Sequence, residues 1–245
     1  MPLPLQLVAL NVERSKHLDR VAAFLRSTQA DVVCLQELME PDAALFEEAS
    51  GGTCFFAPMA LHEENGRITS RGVGILSRLP VKSRSLHPYG GSEAPQVRFD
   101  ATTQESKHKT SAYVLALCEV EKEGTVFRIA TTHFAWAPGG EADDFQRKDI
   151  QKLLAILAQS GELVLCGDFN APRGGEIFGL LAQKYKDNVP QKYTTSIDGI
   201  LHRAGPLPFM VDGLFSTPGY TVSHVEMVCG ISDHCALIAN VASSS

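Results

Sequence analysis

The feature that most restricts what this chain can fold into is a series of short apolar runs, each closing on a polar residue. The stretch LVLCGDFNAPRG, residues 163–174, is representative: four apolar residues and a glycine lead into Asp168 and Asn170, separated only by Phe169. Bounded runs of this length read as buried strands and are too short for core helices. A turn needs a single Asx residue, so the presence of two raises the question of what both face. The spacing Asp-x-Asn predicts two side chains on the same side of an extended segment.

Residues 5–11 read as a first strand. Ser15 is placed to cap a helix whose apolar positions Leu18, Val21, Ala22 and Leu25 keep the i, i+3, i+4, i+7 spacing. The run DVVCLQEL, residues 31–38, then forms a second strand, giving a β-α-β unit with its strands parallel. Further strands are expected at 54–59, 72–77, 113–121 and 125–134, the last two joined by KEG as a hairpin. A helix over 144–157 carries Ile150, Leu153, Leu154 and Leu157 on one stripe. The strand at 163–167 follows, then a helix near 176–185 and three short strands at 210–216, 221–228 and 234–241. Residues 87–111 are polar, with glycines and a proline, and read as a long loop of the kind that often carries function. No linker-like change in composition divides the chain, so residues 1–245 are expected to form a single domain.

Composition narrows the function classes. With 44% hydrophobic and 20% charged residues the chain reads as globular. No apolar stretch approaches the ~20 residues of a membrane span, and the first residues lack a leader pattern. No membrane anchor and a cytoplasmic location are therefore expected. Of the six cysteines, Cys34, Cys118, Cys166 and Cys235 lie in apolar runs, and no zinc-type spacing occurs. Core thiols are expected rather than a disulfide framework. A formal charge of −6 argues against a broad nucleic-acid-binding surface but is compatible with a local grip on a few phosphates.

The polar residues at the strand ends are Asn11, Glu37, His133, Asp168 with Asn170, Asp212, and Asp233 with His234. Singly, each has an ordinary structural reading. Asn11 and Asp212 serve as turn residues, Glu37 as a solvated strand end and His133 as a core or rim histidine. Asp168 with Asn170 reads as turn chemistry, and Asp233 with His234 as a strand cap. Their joint recurrence in this order is what points to a cleft at one edge of a sheet.

The segments LNVER, VVCLQEL, GVGILSR, TTHFAW, GDFNAPRG, VDGLF and SDHCAL together resemble the successive motifs of the endonuclease/exonuclease/phosphatase (DNase I-like) superfamily, from Leu7 to Val241. The resemblance implies an α/β (α+β) fold of two mixed β-sheets packed face to face, with helices on the outer faces. It also implies a metal-dependent phosphoester hydrolase: a phosphodiesterase on nucleic-acid strands or ends, using in-line attack by an activated water. The alternative is a phosphatase or phosphodiesterase acting on a small molecule or lipid head group. A non-catalytic binding module is disfavoured, because a binder has no need of the whole set. A monomer is expected.

Carried over by position, Glu37, Asn11 and Asp233 would hold Mg²⁺, with Mn²⁺ as a substitute; Asp168 would activate the water and Asn170 would donate to a phosphate oxygen. His234, partnered by Asp212, would contact the scissile phosphate, and His133 would supply a second donor. Arg173 and Trp136 are the expected substrate contacts. Arg67, Arg71, His87, Tyr89, Arg98, Lys107, His108 and Lys109 read either as phosphate or base contacts or as solvated charges. Gln146 and Arg147 read equally well as a family pair or as helix-surface salt bridging, and stay outside the expected site. His133 stands where abasic-site endonucleases usually carry tyrosine. The glutamate that pancreatic-type DNases place before GVGILSR is absent, Ser70 and Arg71 being nearest. SDHCAL lacks the usual proline.

Overall fold

In the computed structural model, which describes residues 3–64, 66–94 and 96–244, the chain builds twelve strands and five α-helices. The first half runs β1 (Leu5–Asn11), α1 (Leu18–Thr28), β2 (Val32–Met39), α2 (Ala43–Ser50), β3 (Thr53–Glu64), β4 (Arg67–Ser77), β5 (Val81–Gly91), α3 (Gln104–Lys109) and β6 (Ala112–Lys122). It continues with β7 (Thr125–His133), α4 (Asp144–Gln159), β8 (Val164–Asp168), α5 (Glu176–Ala182), β9 (Lys186–Asp187), β10 (Asp212–Ser216), β11 (Tyr220–Val228) and β12 (Ala236–Ser243). Two six-stranded mixed sheets result, in the orders β11-β12-β1-β2-β4-β3 and β5-β6-β7-β8-β10-β9. The parallel pairs, β1 with β2 and β7 with β8, lie at the centre of each sheet.

Strand pleating explains the layers. Along β1, Leu5, Leu7 and Ala9 enter the apolar cluster between the sheets, whereas Val8 and Leu10 join Val21, Ala22 and Leu25 of α1 on the outer face. A strand buried on both faces reads as a continuous apolar run, which is why β1, β2 and β8 lack alternation. On the other outer face α4 buries Ile150, Leu153, Leu154 and Leu157, the stripe read from the sequence. Gly167 in β8 is required: at φ 150° a Cβ there would lie 2.1 Å from the Thr132 carbonyl oxygen of β7. Among the described residues no helix is long and apolar enough to cross a membrane.

Several local expectations are corrected. Ser15 does not cap α1; its hydroxyl donates to Asp42 at 2.6 Å, and the helix begins after His17 without a side-chain cap. Glu13 and Arg14 take left-handed backbone (φ 49° and 60°), so the chain turns before the helix starts. Residues 87–111 are not one loop. The end of β5 pairs with β6 through His87 and Pro88, and Thr103 opens α3 in a reciprocal capping box with Ser106. The sequence hides β5 because it is an edge strand, polar on its outer side, with a proline next to a bulge. Cys235 is not a free core thiol: it forms a disulfide with Cys229, while Cys34, Cys118 and Cys166 are free and buried. The loop before β12 folds back, which brings two residues six apart together in a way no local pattern announces.

Candidate active site

The central parallel pairs deliver their C-terminal ends to one edge of the sandwich. β1 ends at Asn11, β2 carries Glu37, β7 ends at His133 and β8 at Asp168. Their antiparallel neighbours begin at the same edge: β10 opens at Asp212, and Asp233 and His234 lie one residue before β12. His133 and Asp212 are both in register with Asp168, so the three candidate residues stand side by side on adjacent strands.

Asp168 is the hub, and it is 1% exposed. Its Oδ2 accepts a hydrogen bond from Asn11 Nδ2 at 3.0 Å, tying the two sheets together, and lies 3.5 Å from His133 Nε2 and 3.8 Å from His234 Nε2. Its Oδ1 accepts the Asn170 backbone N–H at 2.8 Å. Burial pushes the carboxyl above its ordinary range, against the pull of His234, and the nearby Asp212 adds to the rise. The two imidazoles are tuned in opposite directions. Burial opposes a charge on His234, but Asp212, 2.7 Å from Nδ1, and Asp168 outweigh it and hold the pKa well above the usual histidine value. At His133 burial wins over Asp168 and Glu37, and its pKa falls.

The neutral ring suits its contact, because Asn170 Nδ2 donates to His133 Nε2 at 3.0 Å and to the Phe134 carbonyl at 2.9 Å. Both amide hydrogens are thus engaged within the protein. The extended Asp-x-Asn geometry read from the sequence is also corrected: Asn170 sits at φ 48°, and the backbone turns there through the Asp168–Asn170 contact.

Glu37 owes its position to a register shift between Leu35 and Leu38 where β2 pairs with β4, and to a left-handed backbone at φ 55°. Its Oε1 lies 3.6 Å from Arg71 Nη1 and 3.9 Å from His133 Nε2, and its Oε2 lies 3.9 Å from Arg14 Nε. Burial raises the Glu37 pKa, but Arg71, His133 and Arg14 outweigh it and bring it down to about 2. Asp233 moves the other way: burial first, then Glu13 and Glu37, push it up to about 7 against His234. Glu37, Asn11 and Asp233 offer oxygen donors only, which fits a hard divalent cation. Asp168, Asp212 and His234 also bring three ligand atoms within 4.8 Å of one another. That group is spent on the His234–Asp212 hydrogen bond, and a cationic imidazole does not ligate a metal.

With Asp212 standing behind His234, the residues Asn11, Glu37, His133, Asp168, Asn170, Asp233 and His234 line a cleft of about 850 Å³. Trp136 lies on its rim, 46% exposed, with Lys107 Nζ 4.1 Å from the ring centroid. Arg173 is a correction. Its Nε pairs with Asp187 at 2.9 Å, its terminal nitrogens donate to the carbonyls of Val189, Pro190 and Tyr193, and its guanidinium lies over Phe178. It braces the chain after α5 rather than facing the cleft, because the tight turn at Gly174 and Gly175 redirects the segment. Gln146 faces inward from α4: it is 1% exposed and donates to the Ala135 carbonyl at 2.6 Å and the Asn170 carbonyl at 3.4 Å. Arg147 remains on the surface, paired with Glu176 and Asp144. Sequence reasoning also missed Gln36, which donates to Thr131 across the sheets at 2.9 Å; its burial inside an apolar strand was the available signal.

Residues 8–234 match the family model described as Endonuclease/Exonuclease/phosphatase family. No curated protein matches the sequence. Among solved structures, an endonuclease/exonuclease/phosphatase from Beutenbergia cavernae is similar, with a TM-score of 0.76 and 16% identity over 98% of this chain and 72% of that one. The human Nocturnin catalytic domain with bound sulfate anion aligns at a TM-score of 0.71 and 17% identity, covering 100% of this chain and 96% of the other. The mannosyl-6-phosphatase Bt3783 of Bacteroides thetaiotaomicron aligns at 0.68 and 11% identity, covering 97% and 99%. At these identities the structures speak for the fold, whereas the match over residues 8–234 speaks for descent: the chain belongs to the endonuclease/exonuclease/phosphatase family of phosphoester hydrolases.

Proposed function

We propose that the protein is a divalent-metal-dependent phosphodiesterase acting on nucleic-acid strands or ends. The observation that carries the reading is one buried carboxylate, Asp168, held within 3.5 and 3.8 Å of two oppositely tuned imidazoles beside an oxygen-only donor set. Glu37, Asn11 and Asp233 would hold Mg²⁺ or Mn²⁺. Such an ion would supply Lewis-acid stabilisation of oxygen charge.

The rest falls to the chain's own side chains. Asp168 accepts the proton of the attacking water; its raised pKa brings it closer to the range of an effective base. Asn11 and the Asn170 N–H hold its two oxygens, so the carboxylate is aimed before substrate arrives. His234, kept cationic by Asp212, donates from Nε2 to the phosphoryl oxygens as negative charge builds. Asn170 turns one N–H from His133 to the substrate phosphate, which frees the His133 ring for the leaving-group side. Trp136 and Lys107 provide a ring face and a cation at the rim, features suited to a base and a neighbouring phosphate.

A panel of single- and double-stranded DNA, RNA, 5′-tyrosyl and 3′-phosphate ends, a bis-nitrophenyl diester and simple monoesters, assayed with Mg²⁺ or Mn²⁺, tests this. Glu37→Gln serves as the blank. Diester turnover lost in that variant supports the reading, and turnover confined to monoesters sinks it. The overall charge of −6 favours the second reading, a phosphatase on a small phosphate ester. Salt separates the two: polymer binding weakens steeply as ionic strength rises, small-ester hydrolysis little.

A further inference from the structure

Arg71 is buried, 8% exposed, and lines the cleft beside Glu37. Among the described residues its guanidinium makes no hydrogen bond. Its contacts are the Phe99 ring, 5.3 Å from the guanidinium carbon, and Glu37 Oε1 at 3.6 Å, beyond hydrogen-bonding distance; its Nε is buried without any partner. A guanidinium carries five donors, and leaving the buried Nε unmade is costly. His62 repeats the pattern: its ring stacks on the other contact of Arg71, Phe99, at 4.7 Å, and its Nε2 is buried and unpartnered. Arg14, across the same part of the cleft, reaches only Glu37 Oε2, at 3.9 Å. Two arginines therefore share one carboxylate without hydrogen-bonding to it, and Phe99 fixes the orientation of Arg71 and His62. Donors this numerous, planar and pre-positioned match a tetrahedral oxyanion with several acceptor oxygens.

The scissile phosphate does not account for them. That ester is served by Asp168, His133 and His234, whereas the Arg71 guanidinium contacts Glu37 Oε1, at 3.6 Å, and the Phe99 ring and no member of that trio. We propose that Arg71, Arg14 and His62 form a subsite for a second phosphate of the substrate, one that is bound and not hydrolysed. This rests on the phosphoesterase reading above and deepens it: the preferred substrate carries at least two phosphates. The second phosphate comes either from the end or backbone of a nucleic-acid strand or from a small bisphosphate.

Two measurements test the subsite. The first is calorimetric titration of inorganic pyrophosphate into the full chain in EDTA, for wild type, Arg71→Met and Arg71→Lys. Wild type should bind. Arg71→Met should weaken binding about tenfold or more, the order expected for charge-assisted hydrogen bonds. Arg71→Lys keeps the charge without the planar fork and should fall between, and it carries the test if the methionine variant does not fold. Equal binding in wild type and both variants overturns the proposal.

The second is the steady-state rate on nitrophenyl esters of thymidine 3′-phosphate with and without a 5′-phosphate. Arg71→Lys should raise KM more for the doubly phosphorylated ester than for the singly phosphorylated one, by a factor of about ten, the order of one charged contact. An equal loss on both would place Arg71 on the scissile phosphate and overturn the subsite. Arg71-dependent pyrophosphate binding without hydrolysis of any ester would overturn the function and leave the subsite standing. A 5′-phosphorylated oligothymidylate, titrated beside thymidine 3′,5′-bisphosphate, distinguishes strand from small molecule by which binds more tightly.

Discussion

Asp168 shows how one residue can be placed for both readings that its sequence context allowed. Its Oδ1 makes the turn to Asn170, and its Oδ2 faces Asn11 and the two histidines. Turn chemistry and site chemistry are not alternatives here, because a carboxylate has two oxygens. Asp168→Asn and His234→Ala are each expected to lower turnover by at least roughly a hundredfold, the scale of losing one preorganised group, with cooperative unfolding retained. Single-turnover rates together with circular dichroism check this, and near-normal rates in either variant would remove that residue from the mechanism. What was legible at this scale is that these residues gather: each of Asn11, Glu37, His133, Asp168, Asn170, Asp212, Asp233 and His234 lines or adjoins the cleft. Arg173 was misread because proximity in sequence to GDFN says nothing of direction after a tight turn.

At the scale of elements, β8 concentrates the constraints. Phe169, fully buried, follows its last residue and packs edge-on against Phe215 at 5.3 Å, while its N–H donates to the Val211 carbonyl at 2.9 Å. That side chain fixes the strand end on which Asp168 and Asn170 sit. Phe169→Ala is expected to cost about 3–5 kcal/mol of stability, as for other buried aromatic truncations, read from the midpoint of urea unfolding. Gly167→Ala should also lower the midpoint, because the new methyl meets the Thr132 carbonyl and pushes β8 from β7; an unchanged midpoint would contradict the close approach of the two strands. Strands buried on both faces and the stripe of α4 could be read from the chain. The edge strand β5 and the short helix α3 could not, since polar patterning alone does not separate an edge strand from a loop.

At the scale of the whole molecule the site belongs to neither sheet. Asn11 and Glu37 come from one, His133, Asp168 and Asp212 from the other, and the Asn11–Asp168 and Gln36–Thr131 hydrogen bonds join them. A cation held by Glu37, Asn11 and Asp233 would bind the folded chain and not the unfolded one. Mg²⁺ at about a hundred times its dissociation constant should therefore add about 2.7 kcal/mol of stability. Thermal unfolding with and without Mg²⁺ measures this; the increment should vanish in Glu37→Gln, and its persistence there would assign the ion elsewhere. Residue chemistry, the strand-rich pattern and the order of the motifs were determined by the sequence alone, because apolar runs and functional side chains are local properties of the chain. The opposite tuning of His133 and His234, the left-handed turns at Glu37 and Asn170, the pairing of Cys229 with Cys235 and the unpartnered Nε of Arg71 were decided only by tertiary structure. Burial, electric field and hydrogen-bond satisfaction depend on residues distant in sequence, and those meet only when the two sheets close on each other.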